Sequence, residues 1–164
     1  MGFLRTKKIK GNEYLYYVEN KYKKGKIVQK SKKYYGRVFE FNIEKETHID
    51  SQTFVDMNFN KAINTMIEIE LENRGFKHNK GILEKDNIIV DIKKKRILNK
   101  GRDSVIKMNE GYLCNYNLKK LFKFEISENE DYKNIGLNLA NLLADTGIKP
   151  NPEIFITIVQ NMLN

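Results

Sequence analysis

The first 38 residues constrain the chain most: three β-favouring runs follow one another, each cut off by a turn signal. Residues 3–10, FLRTKKIK, read as a first strand, and Gly11-Asn12 marks a turn. Residues 13–20, EYLYYVEN, are aromatic and β-branched, which suits a pleated strand. Lys23-Lys24-Gly25 marks the next turn, and residues 26–35, KIVQKSKKYY, supply a third strand that Gly36 punctuates. Short strands joined by tight turns form an antiparallel meander. Side chains alternate along a strand, so Tyr14 and Tyr16 share a face with Val18, and Leu15 and Tyr17 lie on the other. One face is expected to cover a core, and the other to carry tyrosines among lysines.

Charge sharpens this reading. Residues 1–38 hold ten Lys and two Arg against Glu13 and Glu19, a net +10 in a chain whose total is +9. Residues 39–164 are nearly balanced, with 18 basic and 19 acidic side chains. Within them residues 39–76 are acidic, with three basic side chains against eight acids, and residues 77–107 are basic, with ten against four. Lysines kept only for solubility would be scattered. Concentration in one small module is the footprint of a polyanionic partner, DNA or RNA. The residues expected to contact it are Arg5, Lys7, Lys8, Lys10, Lys26, Lys30, Lys32, Lys33 and Arg37, with Tyr16 and Tyr35 able to stack on bases. Arg and Asn candidates for bidentate base contacts are few, so sequence-independent phosphate contact is expected.

The stretch FLRTKKIKGNEYLYYVENKYKKGKIVQKSKKYYGRV also resembles the N-terminal strand module of some insertion-sequence transposases. The matching residues are Tyr14 to Glu19, Gly25-Lys26, Gln29, Tyr35, Gly36 and Arg37. In that family the module precedes a long catalytic domain with an acidic triad. This chain is too short for one, so the resemblance implies nucleic-acid contact without transposition. It covers about the first 38 residues; no resemblance is identified for residues 39–164.

The remainder reads as an α+β domain with a small antiparallel sheet and three to four helices. A short strand, VFEFNI, is expected from residue 38. Asn58 or Asn60 can cap a helix over 60–74, with Ala62, Ile63, Met66, Ile67, Ile69 and Leu71 as its apolar stripe and Gly75 at its end. Residues 81–85 and 87–98 suggest strands around an Asp86-Asn87 turn, and 104–108 and 111–115 extend the sheet. The run Lys93 to Arg96 would send charges to both faces of a strand, so it belongs at a strand end or an exposed edge. There it can block edge-to-edge aggregation or add phosphate contacts, which makes 93–102 a further candidate contact stretch beside residues 1–38. Residues 117–124 suggest a short amphipathic helix whose Lys119, Lys120 and Lys123 are expected to add little to polyanion contact. A longer helix follows over 130–145, ended by Gly147. Asn151-Pro152-Glu153 then starts a last helix over 152–163.

An enzymatic alternative rests on EKDNIIVDIKKK. Restriction-type nucleases place two acids and a Lys on adjacent strands around a divalent ion. Asp86, Asp91 and Lys93 would be that set, helped by Glu70 or Glu72. The competing reading is a basic hairpin in which lysines pair Asp91. A third alternative is an interaction module whose acidic and apolar C-terminal surface docks another chain or forms a homo-oligomer.

Other classes find little support. Cys114 is the only cysteine, so no internal disulfide can form, and it reads as a core residue. With His48 and His78 the only histidines, and no CxxC or HExxH, no metal site is expected. There is no GxxxxGK[ST] or GxGxxG, and no cofactor is expected. No apolar stretch approaches the roughly 20 residues that span a bilayer, and the N-terminus has no apolar signal core. A cytoplasmic, non-membrane protein is expected. Abundant Lys, Ile, Asn and Glu without Trp suit an AT-rich, archaeal genome.

Overall fold

The structure, a computed structural model, describes residues 2–127 and 131–163. One mixed nine-stranded sheet and four helices give the α+β class. The first three strands are β1 (Gly2–Ile9), β2 (Asn12–Lys23) and β3 (Lys26–Glu40), paired antiparallel as a meander. Their turns are two-residue loops, Lys10-Gly11 and Lys24-Gly25, with positive φ at both residues. That geometry matches the twist of the flanking strands. Lys80-Gly81 and Lys100-Gly101 repeat it further on.

The strand expected to end at Gly36 continues through it and absorbs the separate strand expected from residue 38. Residues 37–40 of β3 then pair in parallel with β8 (Arg102–Met108), in the register Arg37↔Ser104 to Glu40↔Lys107. The basic meander and the larger domain therefore share a strand. Gly36 makes this possible. Its φ is 126°, and a Cβ there would sit 2.3 Å from the carbonyl oxygen of Asp103. Only glycine lets the two backbones come this close.

Beyond β8 the sheet runs through β7 (Arg96–Asn99), β6 (Ile88–Asp91) and β5 (Ile82–Lys85) to β4 (Lys77–Asn79), all antiparallel, while β9 (Gly111–Leu113) also pairs with β8. The expected strand over 87–98 is thus two strands. Asp91 Oδ1 accepts a hydrogen bond from the Lys94 backbone N–H at 2.9 Å and closes the turn between them. Lys93, Lys94 and Arg96 point into solvent, where a continuous strand would have forced some of this charge against the core.

Helix α1 (Phe59–Glu72) starts at Asn58, whose side chain accepts from the Lys61 N–H at 2.9 Å. It buries Ala62, Ile63, Met66, Ile67 and Leu71 against Leu83, Ile88, Val90, Ile97 and Ile106 of the sheet. Helices α2 (Asn115–Phe122), α3 (Tyr132–Thr146) and α4 (Pro152–Leu163) complete this main core through Leu118, Leu121, Leu139, Leu143, Ile154 and Ile158. Gly147 ends α3 with φ 83°, and Asn151 Oδ1 accepts from the Ile154 N–H at the start of α4. A smaller core joins the meander to the rest: Leu15 and Tyr35 pack with Val105 and Cys114. Among the described residues no helix is long and apolar enough to cross a membrane.

Replacing Gly36 with Ala forces a Cβ into that carbonyl and imposes a strained positive φ. The substitution is expected to cost at least about 2 kcal/mol of stability, measured by urea unfolding. A Gly36→Ala protein as stable as the parent would show that the β3–β8 joint does not depend on this approach.

Candidate nucleic-acid interface

Two bulges in β3 decide which side chains share a face. Tyr16 is opposite Tyr34 and Leu15 is opposite Gly36, so Tyr35 is the extra residue; Tyr17 is opposite Lys33 and Val18 opposite Ser31, so Lys32 is another. Each bulge resets the alternation. Tyr34 therefore joins Tyr14 and Tyr16, with ring centroids 6.3 and 5.3 Å away. Arg37, opposite Tyr14 in the register, lies on the same face. Tyr35 turns to the other face, where it is buried beside Tyr116, centroids 5.5 Å apart. The exposed ring expected at Tyr35 belongs instead to Tyr34, which is 49% exposed.

Basic groups frame the tyrosines on this face. The Lys7 ammonium lies 5.0 Å from the Tyr16 ring centroid and donates to Ser31 Oγ at 2.7 Å. The Arg5 guanidinium donates to Gln29 Oε1. The parallel joint brings in the second basic stretch: Lys100 and Arg102 line a cleft of about 490 Å³ together with Tyr14, Tyr34 and Arg37. Asp103 is the one acid lining that cleft, and it faces Arg96 at 3.9 Å. The floor is therefore aromatic and the rim largely cationic. Such a site suits a phosphate backbone with its bases or sugars against the rings.

Past this cleft, β2 and β3 continue as a two-stranded ribbon. From Asn20↔Gln29 to Lys23↔Lys26 neither β1 nor β8 pairs with it. Every residue from Asn20 to Lys33 is exposed, Tyr22 by 79%. Lys21, Lys23, Lys24 and Lys26 line this projection, and Lys30, opposite Glu19, stands at its base. A ribbon of this width fits the major groove of a duplex.

The expected contact residues divide between the two sides of the sheet. Arg5, Lys7, Tyr16 and Arg37 lie on the cleft face. Lys10 and Lys26 are at or beside hairpin turns, and Lys30 is at the base of the ribbon. Lys8 is opposite Glu13, and Lys32 pairs with Glu19 at 3.3 Å. Lys33 faces away, its ammonium 5.3 Å from the Tyr35 ring centroid. It shares a depression of about 300 Å³ with Tyr116, Lys119 and Lys120 of α2 and with Lys123 at the end of that helix. The α2 lysines, expected to stand apart, are thus beside a residue of the basic module. Tyr14 and Tyr34 were absent from the expected set, whereas Lys100 and Arg102 fall in the 93–102 stretch expected as a further contact region.

The nuclease constellation is not assembled. Asp86 sits in the β5–β6 turn with φ 48°, and Asp91 closes the turn at the far end of β6. Lys93 is an exposed turn residue. On α1, Glu70 holds Arg74, and Glu72 Oε1 lies 3.0 Å from His78 Nε2. Among the described residues no group of three or more His, Cys, Asp or Glu side chains could hold a metal ion. Cys114 is buried in the small core, and burial pushes its thiol up to about 11, far from a nucleophile poised at neutral pH. Comparison with protein-family models, curated proteins and solved structures finds no match to this chain.

Burial raises the Tyr34 phenol above the ordinary value of 10.0, with further upward contributions from Tyr16 and Tyr14, while Arg102 opposes them. The folded state thus favours the neutral phenol, and its contribution to stability is lost as pH rises from 10 through the folded value. NMR titration of labelled tyrosine carbons, with Tyr34→Phe for assignment, should place this phenol above the ordinary value of 10.0. Arg102→Gln should raise it further. An unmoved Tyr34 in Arg102→Gln would show that the two groups are not neighbours in solution.

Proposed function

We propose that this protein binds nucleic acid without catalysing its cleavage, through the tyrosine-floored basic cleft and the projecting β2–β3 ribbon. One observation carries the reading: Arg37, Lys100 and Arg102, from basic stretches far apart in sequence, border a single cleft floored by Tyr14 and Tyr34. Like charges gathered within a Debye length, about 8 Å at physiological salt, repel one another. A polyanion relieves that repulsion and releases its own counterions in doing so. The resemblance of residues 1–38 to a transposase strand module supports the same partner. Most cationic groups here are lysines, which contact phosphate as point charges and read bases poorly. The protein therefore binds many sequences with similar affinity.

Fluorescence anisotropy with duplex DNA, single-stranded DNA and structured RNA tests the proposal. Affinity for a duplex should fall with salt by about 0.9 log units per log unit of salt for each phosphate neutralised. Arg37→Gln with Arg102→Gln should weaken binding for all sequences alike and flatten the slope by about two such contacts. Lys21→Gln with Lys23→Gln should do the same from the ribbon. Failure of the parent protein to bind any of the three at moderate salt would remove the proposal.

A further inference from the structure

Neighbouring residues of β3 serve opposite sides of the sheet: Tyr34 belongs to the cleft, Tyr35 to the side covered by α2. That second side is also strongly basic. Lys33, Lys119, Lys120 and Lys123 line one depression around Tyr35, Tyr116 and Asn115. Cation–π contacts hold two of the ammonium groups over its rings, Lys33 on Tyr35 and Lys120 on Tyr116 at 5.5 Å. Asn115 Nδ2 donates to the Lys95 carbonyl at 2.9 Å and ties the lysine turn 92–95 to the start of α2. Lys95 in turn lies 5.5 Å from the Phe122 ring centroid.

Among the described residues, none of Lys33, Lys119, Lys120 or Lys123 has a carboxylate within ion-pair distance. Asp145 lines the adjoining depression with Lys120. Four ammonium groups around one hollow repel one another within a Debye length. A bound polyanion turns that cost into a gain. A straight duplex cannot reach both sides of a sheet at once, and its persistence length of about 150 base pairs resists wrapping round the edge.

Building on the function proposed above, we infer that the α2 side is a second phosphate-binding surface, and that one protein molecule bridges two segments of duplex. The cleft and ribbon hold one segment, and Lys33, Lys119 and Lys123 hold the other. The lysines concerned are exposed, so their replacement leaves the cores intact.

A two-duplex capture assay tests this with the full chain. One biotinylated DNA duplex is fixed to beads, and retention of a second, fluorescent duplex is measured. The parent protein should retain the second duplex. Lys119→Glu with Lys123→Glu should reduce retention about tenfold or more, while affinity for a single duplex, measured by anisotropy, changes only about threefold because the cleft remains. Arg37→Gln with Arg102→Gln should weaken both readouts together. Single-duplex binding by the parent without retention would overturn the bridging inference and leave the proposed function standing. So would full retention by the Lys119→Glu, Lys123→Glu protein, the outcome expected if bridging came from self-association. Absence of single-duplex binding by the parent would instead remove the proposed function beneath it.

Discussion

The architecture turns on one close approach, between the backbone of Gly36 and that of Asp103 and Ser104. Antiparallel hairpins build everything on either side of it. Each hairpin needs only neighbours in sequence and a short turn, of two residues in most and four between β6 and β7. The parallel pairing of β3 with β8 is the exception, because it joins segments with some sixty intervening residues. It places Val105 against Leu15 and Tyr35, which closes the small core, and it places Arg102 beside Arg37. Packing and electrostatics thus depend on the same backbone contact.

Local signals in the sequence located most elements. The aromatic and β-branched runs gave the meander. Asn58, Gly147 and Asn151-Pro152 marked helix ends where the structure has them. These are short-range effects, decided by caps, turns and apolar periodicity. The β3–β8 pairing was not legible, because no local pattern names a strand's distant partner. Gly36 read as a stop because glycine so often ends a strand, whereas here it permits an approach. The break after Asp91 escaped a reading by residue type, since apolar residues on both sides of the lysine run favour a strand.

The candidate site was legible in charge and less so in detail. Counting alternate residues along 26–35 groups Tyr35 with Lys33 and Arg37. The bulge at Tyr35 breaks that count, sends Tyr35 inward and leaves Tyr34 beside Tyr14 and Tyr16. Likewise, net charge over a segment hid the α2 lysines. Residues 108–164 are slightly acidic as a whole, yet Lys119, Lys120 and Lys123 fall on one side of a single helix and meet Lys33 there. A charge average over sequence loses what three-dimensional neighbours decide.

The parallel joint also sets an order of events for the newly made chain. Hairpins close in microseconds, but contacts between distant segments form slowly because loop closure must come first. On the ribosome the meander emerges long before Val105 and Cys114 have been joined to the chain. Until they arrive, Leu15 and Tyr35 lack the partners that bury them, and Arg37 stands without Arg102. Burial of Leu15 and Tyr35 and assembly of the cationic cleft are therefore one late step, reached only once β8 has joined the hairpins that formed before it.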